Sequence, residues 1–150
     1  MPNLSLFAIP AYWLLSMLPN LYAIHLAARS NNGVWDNTSP RSAEWEERVR
    51  KSTTSEQYNT YIRSRAAHKN GFETLPLFIG AILAGNAAKL GPEYMNMFVG
   101  VNLVLRVVYT IVYVRTTKNS SSYFRTVVWF AECYYCLWVF TKSGLVLMEE

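Results

Sequence analysis

Residues 4–28 read LSLFAIPAYWLLSMLPNLYAIHLAA, a stretch with no Asp, Glu, Lys or Arg and a lone His25 near its end. About 20 mostly apolar residues suffice for a helix to cross the hydrocarbon core of a bilayer, so this stretch predicts a membrane-spanning helix. Pro10 and Pro19 lie inside it. Transmembrane helices accept proline because their neighbours re-satisfy the freed backbone groups, and kinks are expected at both positions. No basic segment precedes the stretch and no small-residue cleavage site follows it. It therefore reads as an anchor rather than a removable signal peptide.

Working outward, the same test finds three more apolar stretches. Residues 29–58 form a polar loop with Gly33, Pro40 and a mixed charged run at 44–51. That run reads as a solvated connector with room for a short helix. Residues 63–89 predict a second helix, polar for two turns and apolar from Leu75 onward, with a bend expected at Pro76 because proline removes a donor and crowds the preceding turn. Gly80, Ala81, Ala84, Gly85 and Ala88 set small residues four apart, which lets helix backbones approach closely in lipid. Gly91-Pro92 marks a turn. Residues 94–114 predict a third helix with one charge, Arg106, and residues 123–147 a fourth whose only charge between Arg125 and Lys142 is Glu132. The fold class that follows is all-α: a single-domain integral membrane four-helix bundle spanning 1–150.

Composition agrees with distribution. Charged residues make up 16% of the chain, against about a quarter in soluble proteins. Aromatics reach 15%, with ten Tyr and five Trp, as suits headgroup depth. The mean hydropathy of +0.07 is diluted by the long loop. The net charge of +4 does not point to nucleic acid, because the basic residues fall between apolar spans and line no soluble face. Eleven of the fourteen Lys and Arg residues lie in 29–69 and 115–125. The positive-inside rule then puts both basic loops in the cytosol and both termini on the lumenal or exterior side. Internal repeats and low-complexity segments are absent.

Three polar clusters interrupt the apolar pattern. Asn102, Arg106, Tyr109 and Tyr113 share one stripe of the third helix. An Arg flanked by phenols can hold a carboxylate or thiolate in a groove, or clasp another helix. Arg65, Lys69 and Glu73 recur every four residues, with Asn70 beside them and His68 at the edge of the arc. This mix suits a zwitterionic peptide, and equally a surface ladder of salt bridges. On the fourth helix Arg125, Trp129, Glu132 and Cys136 share a face. Arg125 alone reads as an anchor at the cytosolic boundary. Glu132 must face protein, with Arg106 or a neighbouring subunit as partner. Cys133 and Cys136 lie mid-helix, without the turn that makes such pairs reactive. His25 and His68 are too few and too scattered for a zinc site.

The string Arg65-Ala66-Ala67-His68-Lys69-Asn70-Gly71-Phe72-Glu73-Thr74-Leu75-Pro76-Leu77-Phe78 resembles the signature of the MAPEG family, the membrane-associated proteins of eicosanoid and glutathione metabolism. That family includes microsomal glutathione transferases and the microsomal leukotriene and prostaglandin synthases. Arg106-Val-Val-Tyr109-Thr-Ile-Val-Tyr113 is similar to its third-helix pattern, and Arg125-Thr126 to the Arg-Ser pair of its active site. The resemblance runs from about 63 to 138. One extra Ala separates Arg65 from His68, and Tyr109 stands where some relatives carry His.

The resemblance implies a homotrimer of the endoplasmic reticulum, binding glutathione between subunits near the cytosolic face. Carried over by motif, Arg65, Asn70 and Glu73 bind glutathione with His68 nearby, and Arg106, Tyr109 and Tyr113 line the pocket. Arg125 stands at the thiol and Thr126 donates a hydrogen bond to the sulfur; Arg29 is a further candidate contact. An apolar co-substrate enters from the membrane lipids. The resemblance implies a glutathione-dependent transferase, peroxidase or isomerase acting on apolar electrophiles. The rival reading is a non-catalytic lipid-binding protein of the same fold, since the family contains one such branch.

Overall fold

The computed structural model describes residues 1–117 and 119–149. Lys118, counted above with the basic loops, lies outside the described residues. A 3-10 turn at Ser5–Phe7 leads into α1 (Ala8–Ser30), followed by α2 (Ala43–Ser52), α3 (Ser55–Ala87), α4 (Pro92–Arg115) and α5 (Asn119–Met148). Among the described residues there is no strand. The chain is all-helical, and the four long helices pack on one another, with α3 against α1, α4 and α5.

What faces outward decides the environment. Leu14, Leu18, Leu83, Val104, Phe130 and Leu145 are exposed, while Asn102, Arg106 and Glu132 are fully buried. That is the reverse of a water-soluble surface, and so large an apolar exterior requires a partner. The span from Ser5 to Ser30 and α4 are each long and apolar enough to cross a membrane, and only 28% of the apolar window of either is buried. A core helix of a soluble protein would be mostly enclosed.

Three helices differ from the sequence expectation, the simplest case being α5, which begins at Asn119 rather than 123. The charged run at 44–51 is no free connector. Ser42 caps α2 by accepting from the Trp45 amide at 3.1 Å, and Trp45 and Val49 are buried against Ala23, Ala27 and Tyr61. Most of its charges face out, as in the exposed Glu47–Lys51 pair at 3.5 Å, while Glu46 turns to α3. The second long helix starts at Ser55 rather than 63. Thr54 and Gln57 form a reciprocal capping box that satisfies two orphan amides and lets a polar segment begin the helix. Tyr58, in that segment, donates to Glu46 at 3.1 Å. Burial, then this acceptor, holds its phenol above the usual range.

Close approach of α1 and α3 rests on Gly71. A Cβ there would lie 2.6 Å from Ser16 Oγ and 2.8 Å from Ser16 Cβ. Gly85 makes room for Met95 in the same manner. Near the termini, amides tie the ends together: Asn3 Nδ2 donates to Asn86 at 2.7 Å, and the Leu4 amide to Asn96 at 2.8 Å. The main core lies between, around Tyr12, Phe78, Ile82, Phe98 and Val139.

Candidate functional site

The deepest polar group is Arg106 on α4. Its Nε donates to Glu132 Oε1 at 3.1 Å and its Nη2 to Oε2, a two-pronged ion pair with both side chains sealed from outside. Tyr12 donates its hydroxyl to Glu132 Oε1 at 2.7 Å. The guanidinium also lies over the rings of Tyr12 and Tyr109, 4.9 and 5.0 Å from their centroids. Its remaining prong, Nη1, donates to Asn70 Oδ1 at 3.1 Å. One cluster thus joins α1, α3, α4 and α5. Of the two sequence readings for this stripe, the interhelical clasp describes Arg106, whose donors point at protein acceptors.

In front of Asn70 opens a cleft of about 380 Å³ between α3, α4 and α5. From α3 come Ala66, Lys69, Asn70 and Glu73; from α4, Tyr109 and Tyr113; from α5, Arg125, Thr126 and Trp129. The Arg125 guanidinium stacks 3.9 Å from the Tyr113 ring centroid. Trp129 Nε1 donates to Thr74 at 3.3 Å, which holds the indole against the wall. Thr126 donates to the Ser122 carbonyl one turn back, at 3.3 Å. Lys69 and Glu73 pair at 3.7 Å with both side chains largely exposed. Such a pair contributes little and yields readily to a ligand. With Oδ1 engaged by Arg106, Asn70 has its N–H pair to offer.

Six of the nine residues named from sequence meet in this cleft: Asn70, Glu73, Tyr109, Tyr113, Arg125 and Thr126. Three do not line it. Arg65 turns to α2, donating to Tyr61 at 3.1 Å and lying 3.7 Å from Glu46. His68 faces α1, its Nδ1 2.9 Å from the Ser16 carbonyl. Arg106 stands behind the wall and meets the cleft's lining through Asn70 and the Tyr109 ring. Lys69 and Trp129 were not named as site residues, although both stood on the right stripes, four residues from Glu73 and from Arg125.

The MAPEG family's sequence profile matches residues 5–145, nearly the whole chain. The chain belongs to the MAPEG family. It is therefore a membrane protein of the family associated with glutathione and eicosanoid metabolism, and the cleft is built from the segments that carry the MAPEG signature. A search of curated proteins and a search of solved structures gave no match.

Proposed function

We propose that this MAPEG protein is a glutathione-dependent membrane enzyme acting on apolar electrophiles, with Arg125 beside the glutathione sulfur. The observation that carries this reading is the convergence of Asn70, Glu73, Tyr113 and Arg125 from three helices on one opening. The cleft suits the tripeptide chemically. Its volume of about 380 Å³ falls within the roughly 300–1,000 Å³ of small-molecule sites. Glu73 matches the ammonium, Lys69 a carboxylate, and the Asn70 N–H pair a carbonyl or carboxylate oxygen.

A fixed guanidinium beside a thiol stabilises the thiolate and so lowers its pKa. The Tyr113 ring holds Arg125 in place. In conjugation the thiol proton leaves for water. The sulfur lone pair then forms a C–S bond to the electrophilic carbon, and the displaced pair goes to the leaving group or to the adjacent atom. Thr126 serves the sulfur only by rotating its hydroxyl away from the Ser122 carbonyl. The apolar partner reaches the cleft from the lipid along α5, where Val127 and Phe130 are exposed. In this reading all four long helices span the endoplasmic reticulum membrane, the basic loops lie in the cytosol, and three chains assemble with glutathione between them.

The second reading, a non-catalytic lipid-binding protein, draws support from Arg65 and His68, which turn away from the cleft. Glutathione-agarose capture in mild detergent separates the two. Capture, with a thiolate absorbance that Arg125→Ala removes, supports the enzyme. Protein that passes through the resin overturns it in favour of lipid binding.

A further inference from the structure

A second opening, of about 520 Å³, lies between α1, α3 and α4 at the α2 end of the bundle. It shares no lining residue with the first. Its walls change chemistry along the helix axes. Leu18, Tyr22 and Ile111 are exposed on the lipid-facing part. Arg63 and Arg115 come next, and Glu56 stands at the mouth. The order follows from chain direction. Arg63 is seven residues further along α3 than Glu56, and its guanidinium folds back to Thr60, four residues from Glu56 and about 6 Å along the axis at 1.5 Å per residue. Arg63 is held in place, its Nε donating to the Val114 carbonyl at 2.8 Å and its Nη2 to Thr60 at 2.9 Å. Arg115 directly follows Val114, so its backbone lies beside the Arg63 guanidinium. Among the described residues no ion pair engages Glu56, Arg63 or Arg115.

We infer that this groove holds a phospholipid whose phosphodiester headgroup ends in a primary ammonium, the chemistry of phosphatidylethanolamine. The acyl chains lie along Leu18, Tyr22 and Ile111, the phosphate sits between Arg63 and Arg115, and the ammonium meets Glu56. Read from membrane to water, the groove runs apolar, cationic, anionic; the lipid, from tail to tip, runs apolar, anionic, cationic. Guanidinium groups bind phosphate oxygens in pairs. A purely anionic headgroup sets its own charge against Glu56, and a choline has no N–H to donate to it.

The test uses the full chain, purified and stripped of lipid in detergent, with native mass spectrometry of added phosphatidylethanolamine, phosphatidylcholine or phosphatidylglycerol. The expected result is one retained phosphatidylethanolamine per chain in preference to the other two. Arg63→Gln and Arg115→Gln should each weaken retention about tenfold, the scale of one charge-assisted hydrogen bond. Arg115 holds no other described side chain, so its variant keeps the test open if Arg63→Gln misfolds. Glu56→Lys should reverse the preference toward phosphatidylglycerol. Equal retention of all three lipids would overturn the inference. Displacement by soluble glycerophosphoethanolamine would assign the groove to a soluble phosphoester instead. A disulfide between neighbouring chains carrying Ile111→Cys would seat a second copy there, also against it.

Discussion

Removing Glu132 leaves the Arg106 guanidinium buried with Asn70 as its only hydrogen-bond acceptor among the described residues. Breaking a buried pair in this way costs roughly 3–5 kcal/mol, whereas replacing both partners by apolar groups is often neutral. Glu132→Ala should therefore lower the melting temperature in detergent sharply, and Arg106→Met combined with Glu132→Leu should restore most of the loss. A double variant as unstable as the single one would contradict this. At the cleft, Arg125→Ala should abolish the glutathione thiolate absorbance without changing the melting temperature, because Arg125 is stacked at the edge rather than built into the core; a thiolate signal that persists excludes it from the sulfur. The inward direction of Glu132 was legible from sequence, since a carboxylate in an apolar span has nowhere else to turn, and Arg106 was one of two partners considered. The directions of Arg65 and His68 were not legible. Helical spacing fixes which residues share a face, but Arg65 is claimed by Glu46 on a helix the sequence reading left as loop, and His68 by a backbone carbonyl of α1.

Helix ends and crossings carry their own tests. Gly71→Ala forces α1 and α3 apart at Ser16, and overpacking of this sort costs about 1–3 kcal/mol. Ser16→Gly, which removes the clashing atoms, should restore the melting temperature of Gly71→Ala; failure to do so would place the strain elsewhere. Thr54→Ala removes the cap of α3 and should cost about 1 kcal/mol, seen as faster amide exchange over 55–60 than over the rest of α3; uniform exchange along the helix would remove the capping box from the account. The apolar halves of the helices were legible because twenty lipid-facing residues leave a continuous signature. The polar first turns of α3 and the whole of α2 were not, because their stability comes from a capping box and from two side chains, Trp45 and Val49, docked on distant helices. The small-residue stripe of α3 was read in part. Gly85 does admit a neighbour, while Gly71, inside the polar segment, was taken as part of the motif alone.

At the level of the molecule, polar groups inside and apolar groups outside describe a protein dissolved in lipid. Orientation is a separate matter, and intact microsomes test it. Trypsin added from the cytosolic side should cut at Arg41 in the loop between α1 and α2, a site left unprotected by any helix; cleavage only after the membrane is opened would invert the topology. The all-helical membrane character was visible in composition and in the lengths of the apolar stretches. The arrangement of six residues around one opening was visible only through family resemblance, since no spacing rule says which helix neighbours which. The amide clasp at the chain's start has a practical corollary. Asn3 and Leu4 are bonded to α3 and α4, and the Pro2 carbonyl accepts from Asn96 at 2.9 Å, so an affinity tag fused there would pull on these hydrogen bonds. Purification handles and fluorescent fusions belong at the opposite terminus, after the exposed Met148.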